Sequence, residues 1–369
     1  MAKNLAVIGG GPIGLYLAIC LANRGNKVTL YEKGRWPVDK VCGQGIMPSG
    51  VNHLKEIGLN FNSFNSFEFN SIEYIDKDTN VVGKLGGKGI GIERSKLSQL
   101  LFLEAKKNPN INLHSNTKIE EINEKRNKYI ITLNNKEQDF DYIFACDGLN
   151  SFIRKKIGLE GKRSSPNRIG ARVHFDVKPW TNRVQVYWDK SVEAYVTPVG
   201  NNKVEVAFLW YENAIERGPQ LLDRLLDKFP NLKWKVPNHK LSNDFRGYGP
   251  FKTIGSKIKK KNVFLVGDSY KFLDGITGEG ISLGIKSANI IAKNFSSFGF
   301  IQKAKINLIY LNYSLWVQSA LIMSRKPALR KIILKILKKY NNAFNFILQL
   351  NDINTNEVQN TTIQKKKAS

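Results

Sequence analysis

The chain is short of cysteine. Three are present among 369 residues, Cys20, Cys42 and Cys146, at spacings that match no metal-ligand pattern. An odd and sparse set excludes a disulfide framework and fits a reducing compartment. Acidic residues are also few: 31 Asp and Glu against 57 Lys and Arg, a formal charge of +26. That imbalance has two readings. The lysines are scattered through every segment, as compositional drift would leave them, and an excess of this size also attracts anionic lipid, nucleic acid or an acidic cofactor. Long apolar runs are missing too. No charge-free stretch reaches the roughly 20 residues that span a bilayer, and MAKNLAVIGG enters a strand at once with no apolar leader. The expectation is a cytoplasmic protein. Its length suits two or three domains or a discontinuous pair, and its 42% hydrophobic content is ordinary for a folded chain.

What is present begins at the N-terminus. Leu5-Ala6-Val7-Ile8 is an apolar run suited to a parallel strand buried on both faces. Gly9, Gly11 and Gly14 follow as G-x-G-x-x-G, then a helical stretch from Leu15 to Ala22 with Gly25 as its stop. KVTLYE is a second strand ending in Glu32, the acid that a ribose hydroxyl needs about 20 residues after such a turn. A tight turn, close backbone approach and the free N–H groups of a helix start together make a pyrophosphate site. This context points to a bound dinucleotide.

Two further motifs come later. YIFACDGLNSFIRKKIGL reads as a strand, a turn at Asp147-Gly148, and a helix start at Ser151 with Arg154 placed to meet phosphate charge. GDSYKFLDGITGEGISLGIKSA, from Gly267, sits between a strand and a helix. With the first turn, these motifs resemble, in family order over about residues 2 to 340, the FAD-dependent oxidoreductases that include aromatic hydroxylases, geranylgeranyl reductases and related halogenases. The resemblance implies that Gly9, Gly11, Gly14 and Glu32 hold the ADP half of FAD and that Gly267-Asp268 closes over the other half, with Asp268 on the ribityl chain. Gly278 and Gly280 would open a helix aimed at the flavin ring. Arg94, ahead of a helix bearing Leu97, Leu100, Leu101 and Ala105, would reach the FAD phosphates or the flavin side.

Gly275 stands where the hydroxylase branch has Pro, and Ser282 where it has Asn. TGEGIS and DKVCGQGIMPSGVNHLKEIGL are nearer the geranylgeranyl-reductase branch, in which a Cys-Gly pair, here Cys42-Gly43, lies close to flavin and substrate. Cys42 itself reads equally as a cavity residue or a small buried hydrophobe. Cys20 and Cys146 read as core.

From about Gly170 the period changes to two. ARVHFDV, RVQVYW, EAYVTPVG and KVEVAFLW predict an antiparallel sheet, with Phe175, Tyr187, Trp188, Tyr195, Phe208 and Trp210 as packing or cavity residues and His174 as a structural histidine. The predicted fold class is α/β (α+β overall): a Rossmann-like FAD-binding domain (1–70, 95–170 and 247–300), an inserted β-sheet substrate domain (71–94 and 171–246), C-terminal helices (301–350) and a disordered tail (351–369). PALRKIILKILKKY is a basic amphipathic helix over 327–340, with Leu329, Ile332, Ile333, Ile336, Leu337 and Tyr340 in one stripe. It either packs on the protein or docks on an anionic membrane.

The expected function is FAD-dependent oxidation or reduction of a hydrophobic small molecule or isoprenoid-like lipid, with double-bond reduction first and NAD(P)H-dependent monooxygenation as the alternative. A third reading is a basic membrane-surface or nucleic-acid binding protein with a non-catalytic flavin. Nucleic acid is not the expected partner, because no nucleic-acid motif or stacking platform is present. With no second G-x-G-x-x-G, NADPH or NADH would bind transiently or a protein donor would serve. No metal site is expected.

Overall fold

The computed structural model describes residues 1–352 apart from 78, 162, 165, 166, 237–244 and 252. The expected disordered tail lies, from residue 353, outside the described residues. A six-stranded sheet runs in the order β18-β19-β10-β1-β2-β6, with β1 (Asn4–Ile8), β2 (Lys27–Tyr31), β6 (Ile111–His114), β10 (Tyr142–Ala145), β18 (Lys259–Lys260) and β19 (Val263–Leu265). Its inner strands pair in parallel, and β18 alone turns back antiparallel on β19. This sheet is buried on both faces, which is why NLAVI and YIFA are apolar without alternation. Helix α1 (Pro12–Ala22) is buried almost all round, so its sequence carries no polar stripe. It packs between α3 (Arg94–Lys106) and α7 (Gly280–Asn294).

The second sheet has eight strands in the order β16-β12-β15-β14-β13-β4-β5-β3: β3 (Gly45–Ile46), β4 (Phe67–Asp76), β5 (Thr79–Gly91), β12 (Arg168–Phe175), β13 (Val184–Trp188), β14 (Val192–Gly200), β15 (Lys203–Tyr211) and β16 (Arg246–Tyr248). It is mixed rather than wholly antiparallel. β13 runs parallel to β4, because the two come from segments far apart in the chain rather than from one hairpin. Alternation along β12 separates two environments. Ile169, Ala171, Val173 and Phe175 enter a core closed by α5 (Leu221–Asp227) and α6 (Pro230–Lys233). Arg168, Gly170, Arg172 and His174 take the other face.

Two small sheets complete the β structure: β7 (Glu121–Lys125), β8 (Lys128–Leu133) and β9 (Lys136–Gln138) in one, and β11 (Arg163–Ser164), β17 (Thr253–Gly255) and β20 (Lys271–Phe272) in the other. Helix α2 (Pro48–Glu56) follows β3, and α4 (Phe152–Lys156) follows β10. At the C-terminus, α8 (Phe300–Arg325) leads into α9 (Pro327–Lys339) and α10 (Asn341–Asp352). Phe344 and Leu348 of α10 seat against β5, where Gly83 leaves the room: a Cβ there would lie 2.5 Å from Leu348 Cδ1.

Helix α9 divides its apolar stripe. Ile333 and Leu337 pack on the protein beside buried Leu334 and Arg330, the arginine bonding Asp76 at 2.8 and 3.2 Å, while Leu329, Ile332, Ile336 and Tyr340 are exposed.

Candidate functional site

The first glycine turn is built by contact. Gly9 has φ +106°, and a Cβ on it would fall 2.5 Å from the Cys146 carbonyl oxygen; one on Gly14 would fall 1.9 Å from the Gly9 oxygen. No other residue allows β1, β10 and α1 to meet this closely. Glu32 is buried. Its two carboxylate oxygens accept the N–H groups of Gly10 (2.6 Å) and Gly34 (2.9 Å), and Trp36 Nε1 donates to the Gly10 oxygen at 3.0 Å. The acid expected at a ribose therefore also clasps the turn, a role that the spacing does not reveal.

The second motif divides. Ser151 caps α4 by accepting Arg154 N at 3.0 Å, as its position at a helix start suggests. Asp147 Oδ2 accepts Ile153 N at 3.1 Å, and burial pushes its carboxyl above the usual range. Arg154 departs from the expectation of phosphate contact. It is fully buried and donates to the carbonyls of Ser269 (2.8 Å) and Leu149 (2.7 Å), so it ties the Gly148 turn to the Gly267 turn from behind. Gly148 itself reaches the cleft.

Along the cleft lie Gly11, Lys40, Cys42, Gly43, Arg94, Asp268, Gly278 and Gly280, drawn from both ends of the chain. Their side of the cleft is open: a Cβ on Gly43, Gly148, Gly278 or Gly280 would meet nothing within 4 Å. Arg94 leans over the first turn, its Nη2 4.0 Å from the position of a Gly11 Cβ, and its Nε and Nη1 are buried with no hydrogen-bond partner among the described residues. Buried, charged, unmet donors call for an anion. Lys40, which the sequence reading missed, extends toward the same place. Burial lowers its ammonium, Glu32 and Asp268 pull the other way, and Arg94 and Lys33 add to the lowering. Asp268 opens into the cleft yet is ringed by its walls: burial raises its carboxyl, and Arg94 and Lys40 oppose the rise. Two cations, one acid and a row of bare backbone fit an extended, anionic dinucleotide. Arg94→Ala is expected to weaken FAD retention by roughly 10- to 150-fold, the range for losing a charge-assisted pair, as measured by flavin fluorescence on titration; Lys96→Ala, on the same helix outside the cleft, should leave it unchanged.

The cysteines sort differently from the sequence reading. Cys20 is buried in α1, where desolvation pushes its thiol up to about 11. Cys146, expected in the core, is half-buried and lines the cleft beside Gly148. Cys42 also lines it, and burial, eased by Arg94 and reinforced by Glu205, holds its thiol at about 11. It is a neutral thiol at pH 7, not a nucleophile.

The cleft continues into a cavity, and together they enclose about 280 Å³. Tyr74, Tyr195, Phe251, Phe272, Tyr313 and Trp316 line it. Of the sheet aromatics expected there, Tyr195 takes part, whereas Phe208 stacks on Phe229 in the core under α5 and α6. Phe175, Tyr187 and Trp210 fill the core under α5 and α6, and Trp188 packs edge-on to Tyr74. Trp316 and Tyr313 come from α8, which the sequence reading had set apart from the site.

Buried polar groups bracket this face of the sheet. At one end Arg172 donates to Asp39 (2.7 Å) and to His174 Nδ1 (3.1 Å), leaving His174 Nε2 to donate to Gln44 Oε1 at 2.9 Å. His174 is thus a satisfied structural histidine. At the other end Arg168 reaches Glu193 at 2.7 Å and Asp274 at 3.2 Å, all three fully buried, and Ser324 of α8 donates to Glu193. Burial opposes the Arg168 charge, and the two carboxylates outweigh it. Asp274 begins the loop to α7. Tyr313 donates to its carbonyl at 3.0 Å and Tyr195 to that of Ile276. These bonds fix the Gly278–Gly280 backbone, and hence the positive N-terminal end of α7, against the cleft. No group of three or more metal-ligating side chains occurs among the described residues.

Comparison with known proteins agrees with this geometry. A family model described as "FAD binding domain" matches residues 3–298. Conditioned medium factor receptor 1 of Dictyostelium discoideum is 25% identical over 330 residues, covering 78% of this chain and 62% of its own. Kynurenine 3-monooxygenase of Anopheles gambiae is 29% identical over 174 residues, 42% of this chain and 35% of its own. This chain therefore spans less than two thirds of either relative. Among solved structures, CmlS, a flavin-dependent halogenase, superposes with TM-score 0.75 at 16% identity over 88% of this chain and 65% of its own, a likeness of fold.

Proposed function

Because the chain belongs to the FAD binding domain family, we propose that it is an FAD-dependent oxidoreductase that adds oxygen to a small hydrophobic or aromatic molecule, with NADPH or NADH as transient donor. The observation that carries this reading is the continuity of the cationic cleft with an aromatic-lined cavity at the Gly278–Gly280 end. Bound FAD would supply the two-electron redox chemistry. Arg94 and Lys40 would hold its pyrophosphate, and Asp268 would accept hydrogen bonds from its ribityl hydroxyls. The α7 N-terminus offers backbone N–H groups to negative charge at the ring. Tyr74, Phe251, Phe272 and Trp316 exclude water and orient a flat apolar substrate against it.

Oxygenation is preferred to double-bond reduction because a kynurenine 3-monooxygenase is among the relatives, at 29% identity over 174 residues. Reduction, in the manner of geranylgeranyl reductases, is kept as a second reading because the Cys42 thiol stays protonated beside the cleft and is chemically able to act as the acid that saturating a carbon–carbon bond needs. The two reactions balance differently. Monooxygenation consumes substrate, O2, NAD(P)H and a proton, and yields hydroxylated product, water and NAD(P)+. Reduction consumes substrate, NAD(P)H and a proton, and yields the dihydro product.

The test begins with anaerobic titration of the flavin-loaded protein with each nicotinamide, followed by readmission of air in the presence of candidate aromatic and isoprenoid compounds. Bleaching of the flavin band and a product heavier by one oxygen atom are expected. A product heavier by two hydrogens, formed without oxygen and lost in Cys42→Ser, replaces oxygenation by reduction. Absence of bleaching with both nicotinamides removes them as donors.

A further inference from the structure

We infer that α9, with the adjoining turn into α10, docks this protein on an anionic lipid surface. This surface does not depend on the chemistry proposed for the cleft. Leu329, Ile332, Ile336 and Tyr340 recur at helical spacing and are 38%, 56%, 52% and 57% exposed, whereas Leu334 on the opposite side is fully buried. Phe346 of α10 adds a further exposed ring, at 61%. The apolar face of this helix is wider than the protein covers. Ile333, Leu334 and Leu337 pack inward beside Arg330, which Asp76 holds in place while the guanidinium lies 5.7 Å from the Trp188 ring centroid. The other half of the stripe is thus held facing out.

The occupant is selected by charge. Lys331, Lys335, Lys338 and Lys339 accompany the exposed stripe, and PALRKIILKILKK holds no acid. A second copy of the chain, meeting through the same patch about a two-fold axis, would set these lysines against one another. A bilayer with anionic headgroups accepts both features at once: apolar side chains enter the interface and lysine stems extend their ammonium groups to the phosphates. No helix among the described residues is long and apolar enough to cross a membrane, so the contact is one of lying on the surface. The consequence reaches the cavity, because Trp316 in its wall lies on α8 about 14 Å, at 1.5 Å per residue, from the Arg325 end that leads into α9.

The test is co-sedimentation of the full flavin-loaded chain with vesicles of phosphatidylcholine alone and of phosphatidylcholine with phosphatidylglycerol. The wild-type chain is expected to partition onto the anionic vesicles and to be released as salt rises. Lysines near such a surface contribute about a fivefold factor each. Gln at positions 331, 335, 338 and 339 together should therefore cut partitioning by two orders of magnitude or more. The pair Ile332→Ser and Ile336→Ser should lower it at any salt concentration. Flavin absorbance retained in both variants shows that the fold is intact. Lack of partitioning by the wild-type chain, equal binding to neutral vesicles, or a concentration-dependent dimer in light scattering that Ile332→Ser and Ile336→Ser dissolve would each overturn the inference. A chain that docks but never takes up flavin sinks the oxidoreductase reading and leaves this one standing.

Discussion

Arg168→Met is expected to destabilise the protein by about 3–5 kcal/mol, the cost of breaking a buried ion cluster from one side. The substitution leaves Glu193 and Asp274, both fully buried, facing each other without the charge that reconciles them. Desolvation already raises Asp274, and Glu193 raises it further. Once Arg168 is gone, one or both carboxyls must take up a proton to remain inside. Denaturation by urea should show the loss, and it should shrink as pH falls, because protonation removes the repulsion. Asp274 also begins the loop that fixes the cleft end of α7, so flavin retention should fall together with stability. The double variant with Met at 168 and Leu at 193 is expected to recover part of both, since one uncompensated charge has then been removed. A single variant as stable as the parent would show that the cluster carries neither the sheet nor the loop.

Gly14→Val is the second large effect. Even the first carbon of a side chain would sit 1.9 Å from the Gly9 oxygen, so α1 must move away from β1 and carry its N-terminal N–H groups with it. Overpacking of this kind costs about 1–3 kcal/mol. The greater consequence is for the cofactor, which meets α1 at the end that moves. The protein is expected to come off the column colourless and to need at least 100-fold more FAD for half-saturation in a fluorescence titration. Gly255→Ala is the control: a Cβ there meets nothing within 4 Å, and flavin content should be unchanged. A yellow Gly14→Val protein would place the dinucleotide elsewhere.

These two predictions differ in how they were reached. Gly14 is legible in the chain because the turn is local: strand, three glycines and helix follow one another within about 20 residues, and the geometry that needs them is set by the same residues. Asp268, Gly278 and Gly280 are legible only through order along the chain, as parts of a pattern. Lys40 gave no signal, since a lysine in a chain this basic looks like any other. Arg154 misled because a guanidinium after a turn is equally suited to phosphate and to peptide carbonyls, and only the neighbouring Ser269 and Leu149 decide between them.

The amino-acid order by itself determined the elements whose partners lie close by: the βαβ start, the alternating strands, the cap at Ser151 and the amphipathic character of α9. Folding in three dimensions decided whatever depends on residues far apart in the chain. It set Arg168 between Glu193 and Asp274, brought Tyr313 and Trp316 of α8 into the cavity wall, and left half of the apolar stripe of α9 facing solvent. The physical reason is that periodicity records which side chains share a face, whereas what covers that face is settled by long-range packing, for which a linear pattern holds no term.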